Sequence, residues 1–173
     1  MNKIKKFYDS EGYYFPLEGI PSQIAKEASD KLDFILKNPY LNIKHPWNLQ
    51  AHLLANWIYD ICVYPKILDS VEAIIGQNIL IQSADIFIKP PKGIKHINMH
   101  QDANYWGLKP FDLVTAWIAL TDVCPDNGCM NYLPKSHLNN KINHIETFNA
   151  NSDLTRGQEI DLKFDKNREV PVI

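Results

Sequence analysis

Three consecutive residues, His100-Gln101-Asp102, include two side chains that commonly bind metal ions. In an extended chain, residues i and i+2 face the same side, so the His100 imidazole and the Asp102 carboxylate are expected to reach one cation as neighbouring ligands. One carboxylate and two histidines form the facial triad of non-haem Fe(II) oxygenases, and the second histidine would come from a distant part of the chain. A motif this short also arises by chance, and the competing interpretation is an incidental His–Asp pair in a surface turn.

The elements that must position this motif begin with a helical region. Apolar residues recur at helical spacing over residues 21–36, where Ser22 is a candidate N-cap. Similar periodicity covers residues 49–62, and a third stretch, 65–76, starts with a proline and ends with a glycine. These patterns predict a mainly helical N-terminal layer over residues 1–76.

Beyond residue 76 the pattern changes to short β-branched and alternating segments. Strands are predicted at 79–81, 86–88, 114–120 and 130–133, with weaker candidates at 159–164 and 170–173. The Pro-Asp-Asn-Gly sequence at 125–128 favours an antiparallel hairpin between the two strands that flank it. The predicted fold class is therefore α+β, in a single domain of residues 1–173 whose β-structure occupies residues 77–173.

Composition limits the class of protein and its partners. A chain of 173 residues, 45% of them hydrophobic, is long enough for one sizeable core. The net charge of -2 gives no cationic surface for nucleic acid or an anionic membrane, so a small-molecule partner is expected. The absence of a spanning apolar run and of a signal core predicts a cytoplasmic protein. Three cysteines without a CxxC pair argue against a disulfide framework and a zinc-thiolate site.

Six short motifs follow one another along the chain. They are FIKPP at 87–91, MHQDANYWGL at 99–108, VTAWIAL at 114–120, NGCM at 127–130, PKSH at 134–137 and LTRGQE at 154–159. In this order they resemble the phytanoyl-CoA dioxygenase family. The resemblance implies a double-stranded β-helix, a cupin-like jelly roll, that holds Fe(II) and 2-oxoglutarate at one mouth of the barrel.

The resemblance also implies roles for individual residues. His100 and Asp102 would be iron ligands, and 2-oxoglutarate and O2 would be the co-substrates. Gln101 and Trp117 match positions that border the 2-oxoglutarate site in family members. For Trp117, a plain core tryptophan is the alternative interpretation.

The residues that directly follow the metal motif are candidates for the substrate mouth, since loops beside a rigid metal site commonly set specificity. These residues are Asn104, Tyr105 and Trp106. Their alternative interpretation is a packed aromatic loop. His137 matches a family histidine that is not a metal ligand and is interpreted as structural, while His144 stands in a polar stretch without ligand spacing.

Two functional residues of the family have no counterpart in this sequence. In the family, the second iron-binding histidine and the arginine that binds the 2-oxoglutarate carboxylate follow the region matching 154–159 and one further strand. The 173 residues thus resemble the N-terminal part of a family member, with the last barrel strands missing. Alone, they are expected to bind Fe(II) weakly, to be inactive, and to self-associate through the incomplete sheet edge.

The predicted activity is that of an Fe(II)- and 2-oxoglutarate-dependent dioxygenase that hydroxylates an aliphatic C–H bond of a small organic substrate. A halogenase of the same fold is less favoured, because it needs a small residue where this chain has Asp102. The alternative from another class is a non-catalytic or truncated jelly-roll module that binds a ligand without turnover. The sequence identifies no substrate and does not distinguish hydroxylation from desaturation or epoxidation.

Overall fold

The structure is a computed structural model. It describes residues 3–38, 50–110, 112–139, 141–154 and 156–173. The helices within them are α1 (Lys3–Glu11), α2 (Ser22–Lys37), α3 (Ala51–Leu54), α4 (Asn56–Cys62), α5 (Pro65–Ile75) and α6 (Ala103–Trp106). The strands are β1 (Asn131–Tyr132), β2 (His144–Glu146), β3 (Gln158–Ile160) and β4 (Val170–Pro171).

The chain divides into two compact units. The first unit comprises Met1–Phe15, Lys89–Thr115 and Cys124–Ile173, and the second comprises Pro16–Ile88 and Ala116–Val123. The predicted helical layer is distributed over both, because α1 belongs to the first unit and α2 to α5 belong to the second. The His100-Gln101-Asp102 motif lies in the first unit.

The second unit is organised around a helical core. Its buried centre consists of Ala28, Ile61 and Ile67. Partly buried apolar residues pack against this centre: Ile20, Ile24, Trp57, Tyr64, Val71, Ile118 and Leu120. Most of these residues lie three or four positions from another of them in the same helix. The helical periodicity of the sequence therefore reflects the face of each helix that packs against this core.

The predicted helices are confirmed with changes at their ends. In α2, Ser22 is the first helical residue rather than a side-chain cap. The stretch predicted over 49–62 begins outside the described residues and is interrupted at Ala55, whose backbone is extended between α3 and α4. Helix α5 starts with Pro65 and stops at Gly76, whose φ of 89° is readily adopted only by glycine.

The β-structure differs more from the sequence prediction. Residues 79–81, 86–88 and 114–120 carry no strand assignment, although they are described. Strand β1 pairs antiparallel with β4, with Tyr132 opposite Val170, so the predicted hairpin between 114–120 and 130–133 is wrong. A β-branched segment favours an extended backbone, but a strand also needs a neighbour that pairs with it. The described residues contain two two-stranded sheets, and the jelly roll stays a prediction.

The first unit is held together by contacts between distant segments. Strands β2 and β3 pair antiparallel, and the Ile160 N–H of β3 donates to the Met99 carbonyl just before the metal motif, at 2.9 Å. In the same unit, the Tyr13 and Tyr132 rings stack with centroids 4.9 Å apart. The His137 Nε2 lies 2.9 Å from the Asp9 carbonyl of α1, which supports the interpretation of His137 as a structural histidine.

No helix in the described ranges combines the length and apolar character needed to cross a membrane.

Candidate metal centre

The side chains of His100 and Asp102 converge, as their spacing predicts. The His100 Nε2 and Asp102 Oδ1 atoms are 3.1 Å apart. Two ligand atoms at right angles around a cation, each about 2.1 Å from it, would be about 3.0 Å apart. The observed separation therefore suits two adjacent ligands of one octahedral metal ion, and an imidazole nitrogen with a carboxylate oxygen suits Fe(II).

The orientation of the His100 ring is fixed from its other nitrogen. The His100 Nδ1 lies 2.7 Å from the Asn98 carbonyl, and because a carbonyl only accepts, Nδ1 carries the hydrogen. The Asn98 side chain is itself buried and donates to the Gly157 carbonyl at 3.0 Å. A histidine that ligates through one nitrogen commonly donates from the other in this way, which leaves Nε2 for the metal.

Asp102 stands at the N-terminal end of the short helix α6. Its backbone is helical, with φ of -56° and ψ of -40°, and its side chain makes no capping hydrogen bond. The two carboxylate oxygens instead have separate partners: Oδ1 faces His100, and Oδ2 accepts a hydrogen bond from the Thr115 hydroxyl at 2.5 Å. The helix start thus positions the carboxylate without using it as a cap.

The electrostatics of the pair favour opposite charges. Burial opposes protonation of His100, yet its hydrogen bonds to Asp102 and to the Asn98 carbonyl outweigh burial and raise the pKa of His100 above its ordinary value. Burial also opposes ionisation of Asp102, but the hydrogen bonds with His100 and Thr115 lower the pKa of the Asp102 carboxyl. Because Nδ1 already donates to Asn98, the contact between Nε2 and Oδ1 needs a cation between them, either a proton or a metal ion.

Gln101, between the two candidate ligands, is bound from both its backbone and its side chain. Its backbone N–H donates to His144 Nε2 at 3.0 Å, and its Oε1 accepts from the Ile142 N–H at 2.8 Å. His144 Nδ1 donates to the Ile142 carbonyl at 2.9 Å, which leaves Nε2 as an acceptor. The two hydrogen bonds of Gln101 attach the metal motif to the chain around the start of β2, and the third orients His144.

Sequence reasoning missed His144. One of its ring nitrogens accepts a hydrogen bond and the other donates one, which is the pattern of a neutral imidazole. Burial is the main reason that the pKa of His144 is lowered from its ordinary value. The contact with Gln101 joins residues 43 positions apart, so no local spacing could reveal it.

Of the residues predicted to line the substrate mouth, Tyr105 has the clearest contact with the pair. Its ring meets His100 edge-on at 5.5 Å between centroids and meets His144 edge-on at 6.4 Å. Asn104 and Trp106 lie in the same helix, α6, and are partly buried. Trp117 belongs to the second unit and is 37% exposed, and its predicted role beside 2-oxoglutarate stays a prediction.

Within the described residues, no third His, Cys, Asp or Glu joins His100 and Asp102 in a metal-binding group. The pair therefore accounts for two positions of a coordination sphere.

The family model of phytanoyl-CoA dioxygenase (PhyH) matches residues 23–172. The chain belongs to this family. The match includes the segment that carries the His100–Asp102 pair and the segment around His144.

Individual relatives are similar over shorter stretches. The human peroxisomal phytanoyl-CoA dioxygenase is 34% identical over 84 residues, which cover 46% of this chain and 25% of that protein. A probable alpha-ketoglutarate-dependent hypophosphite dioxygenase of Stutzerimonas stutzeri is 32% identical over 98 residues, covering 56% of this chain and 34% of that protein. The matches thus span about a quarter to a third of the length of these relatives.

Solved structures extend the similarity to the fold. The apo form of a non-heme monooxygenase, ThoJ, aligns with a TM-score of 0.82 and 27% identity, covering 98% of this chain and 64% of that chain. A ThoJ–nickel complex aligns with a TM-score of 0.68 and 28% identity, covering 79% of this chain and 58% of that chain. The fold is thus of the non-heme oxygenase type.

Proposed function

We propose that this chain contributes to the metal and co-substrate site of an Fe(II)- and 2-oxoglutarate-dependent oxygenase that hydroxylates an aliphatic C–H bond of a small organic substrate. The observation that carries the proposal is the 3.1 Å approach of His100 Nε2 to Asp102 Oδ1 within the segment that matches the family. The names of the relatives, one of them alpha-ketoglutarate-dependent and one solved with nickel, support the same class.

When bound, iron would supply the activation of O2, with 2-oxoglutarate as the source of electrons. The residues of this chain would hold the metal ion and orient the atoms that bind it. His100 offers Nε2 because Nδ1 donates to Asn98, and Asp102 offers Oδ1 because Oδ2 is bound to Thr115. A charged oxygen ligand beside a neutral nitrogen ligand partly offsets the cation's charge, which favours retention of a divalent metal.

Gln101 and α6 would organise the space beside the metal. The Gln101 side chain accepts a hydrogen bond from the Ile142 N–H, so Gln101 would border 2-oxoglutarate while it keeps that hydrogen bond. We place Asn104, Tyr105 and Trp106 at the substrate mouth because α6 starts at the Asp102 ligand itself. Tyr105, packed edge-on against the His100 ring, would shield one side of that ligand from water.

The proposal is tested by anaerobic titration of the 173-residue protein with Fe(II) in the presence of 2-oxoglutarate. We expect weak Fe(II) binding by the wild type, detected as a faint visible charge-transfer band, that is lost in His100→Ala and in Asp102→Ala. His96→Ala is the matched control, because His96 is an exposed histidine four positions before His100. Metal binding of equal strength in all four proteins, or no binding by the wild type, would overturn the assignment of the pair as metal ligands.

A further inference from the structure

Thr115 lies thirteen positions after Asp102 and belongs to the same unit. Its hydroxyl donates to Asp102 Oδ2 at 2.5 Å, the distance of a strong hydrogen bond to a charged acceptor. The other carboxylate oxygen, Oδ1, faces His100 Nε2 at 3.1 Å. The two oxygens of one carboxylate are therefore assigned to different partners.

We propose that Thr115 is a positioning residue that makes Asp102 a one-oxygen metal ligand, an inference that rests on the proposed function. A carboxylate can bind a cation through one oxygen or through both. To bind through both, Asp102 would have to rotate Oδ2 towards the cation and give up the hydroxyl of Thr115. The hydrogen bond opposes this rotation and leaves Oδ1 alone in the position beside His100.

The consequence concerns the number of open coordination positions. A carboxylate that binds through both oxygens occupies two of the six positions of an octahedral ion, and one that binds through a single oxygen occupies one. An oxygenase that must accept a chelating co-substrate and O2 at the same metal needs the extra position. Thr115 would thus preserve an open site without touching the metal.

Two further observations favour positioning over a purely structural role. Aspartate at the start of a helix usually accepts hydrogen bonds from the helix N–H groups, yet Asp102 makes no such bond in α6. Its carboxylate is instead committed to His100 and Thr115. A β-branched threonine is also stiff at χ1, which keeps its hydroxyl aimed at Oδ2 at a small cost in entropy.

The inference is tested with two substitutions of opposite character. Thr115→Val keeps the shape of the side chain and removes the hydroxyl, while Thr115→Ser keeps the hydroxyl. Difference infrared spectra of Ni(II)-loaded protein, labelled with carbon-13 at the aspartate carboxylates, report whether Asp102 binds through one oxygen or two. Calorimetric titration with Ni(II) gives the affinity, and thermal unfolding of the metal-free proteins shows whether each variant is folded.

We expect Thr115→Val to shift the carboxylate stretches to the two-oxygen pattern and to change the Ni(II) affinity by roughly tenfold. Thr115→Ser should restore both properties to those of the wild type. Thr121→Val is the control, since it makes the same substitution at an exposed threonine for which the described residues show no contact with the candidate site. It should leave the infrared pattern unchanged.

Identical spectra and affinities in the wild type and folded Thr115→Val would overturn the inference while leaving the metal site itself intact. If Thr115→Val does not fold, Thr115→Ala replaces it, with the same expected results. Absence of Ni(II) binding by the wild type would instead count against the proposed function, so the two failures are distinguishable.

Discussion

The imidazole of His144 accepts the backbone N–H of Gln101, the residue between the two candidate metal ligands, at 3.0 Å. His144 itself is held by a hydrogen bond from its Nδ1 to the Ile142 carbonyl. The backbone between the two candidate ligands is therefore held by a residue 43 positions away in the chain.

Replacing His144 tests whether this hydrogen bond supports metal binding. We expect His144→Ala to weaken Ni(II) binding roughly tenfold, as for other residues that orient ligands. His144→Gln should recover much of the affinity, because its Oε1 can accept near the place of Nε2, whereas the shorter side chain of His144→Asn should not. Nitrogen-15 NMR of the wild-type imidazole should show a hydrogen on Nδ1 only.

The matched control for His144 is His96→Gln, which alters an exposed histidine of the same unit. If His144→Ala lowers the unfolding temperature but binds Ni(II) as tightly as the wild type, His144 is structural alone and the prediction fails.

Asp102→Glu keeps the charge and lengthens the side chain. The longer arm cannot keep one oxygen 3.1 Å from His100 Nε2 and the other at the Thr115 hydroxyl from the same backbone position. We expect metal affinity to fall at least roughly tenfold. Calorimetric Ni(II) titration measures it, with Asp126→Glu as a control at an exposed position, and undiminished affinity in Asp102→Glu would contradict the ligand geometry.

Metal binding should weaken as the pH falls. The raised pKa of His100 means that a proton occupies the place between Nε2 and Asp102 over a wider pH range than in a free histidine, and the metal must displace it. Affinity should rise with pH up to the pKa of His100 and level off above it. Calorimetry in two buffers of different ionisation enthalpy should detect the released proton below that pKa, and equal apparent enthalpies there would refute the exchange.

The same pair should give the metal-free protein a pH-dependent stability. The raised pKa of His100 contributes stability that is fully present below the ordinary histidine value and is lost as pH rises through the raised value. The lowered pKa of Asp102 contributes stability that is present above the ordinary aspartate value and is lost as pH falls through the lowered value. Both contributions coexist from about pH 4 to about pH 6.5.

Urea unfolding of the wild type and Asp102→Asn across pH measures this effect. The difference in unfolding free energy between the two proteins should be largest within that window and decline on both sides. Asp126→Asn, at an exposed aspartate, should track the wild type, and a pH-independent difference for Asp102→Asn would show that the pair is not ionised as proposed.

Gly157 is the glycine whose substitution should disturb the support beneath His100. Its φ is +57°, and an added Cβ would lie 2.6 Å from Thr147 Oγ1 and 2.8 Å from the Asn149 nitrogen. Its carbonyl also accepts from Asn98, the residue that orients His100. We expect Gly157→Ala to lower the free energy of unfolding by about 1–3 kcal/mol.

Gly19→Ala is the control for this substitution, because an added Cβ at Gly19 meets nothing within 4 Å. Its effect on the free energy of unfolding should stay within about 0.5 kcal/mol. Chemical denaturation compares the two variants, and equal stability of Gly157→Ala and wild type would show that the loop can relax around the new side chain.

The sequence predicted those parts of the structure that depend on nearby residues. The convergence of His100 and Asp102 follows from their spacing of two residues. The bounds of α5 follow from a proline, a periodic apolar face and Gly76. In contrast, α6 is only four residues long and has no capping side chain, so nothing in its sequence distinguishes it from a loop.

The remaining features depend on distant partners. Residues 114–120 have the composition of a strand, but composition does not determine which segment would pair with them. Strand β1 finds its partner in β4, nearly forty positions later, and Gln101 finds His144. Contacts of this kind are fixed by the packing of the whole unit rather than by local periodicity.

The chain segments that make up the two units also imply an order in which the units can fold during synthesis on the ribosome. The second unit has all its residues once Val123 has been synthesised, whereas the first joins its earliest residues to segments that extend to Ile173. The Asp9 carbonyl can bind His137 only after the chain has grown by 128 further residues, and Tyr13 can stack only after Tyr132 has been synthesised. During this interval Tyr13 lacks the Tyr132 ring and α1 lacks its hydrogen bond with His137, so α1 is open to non-native contacts until the nascent chain has passed residue 137.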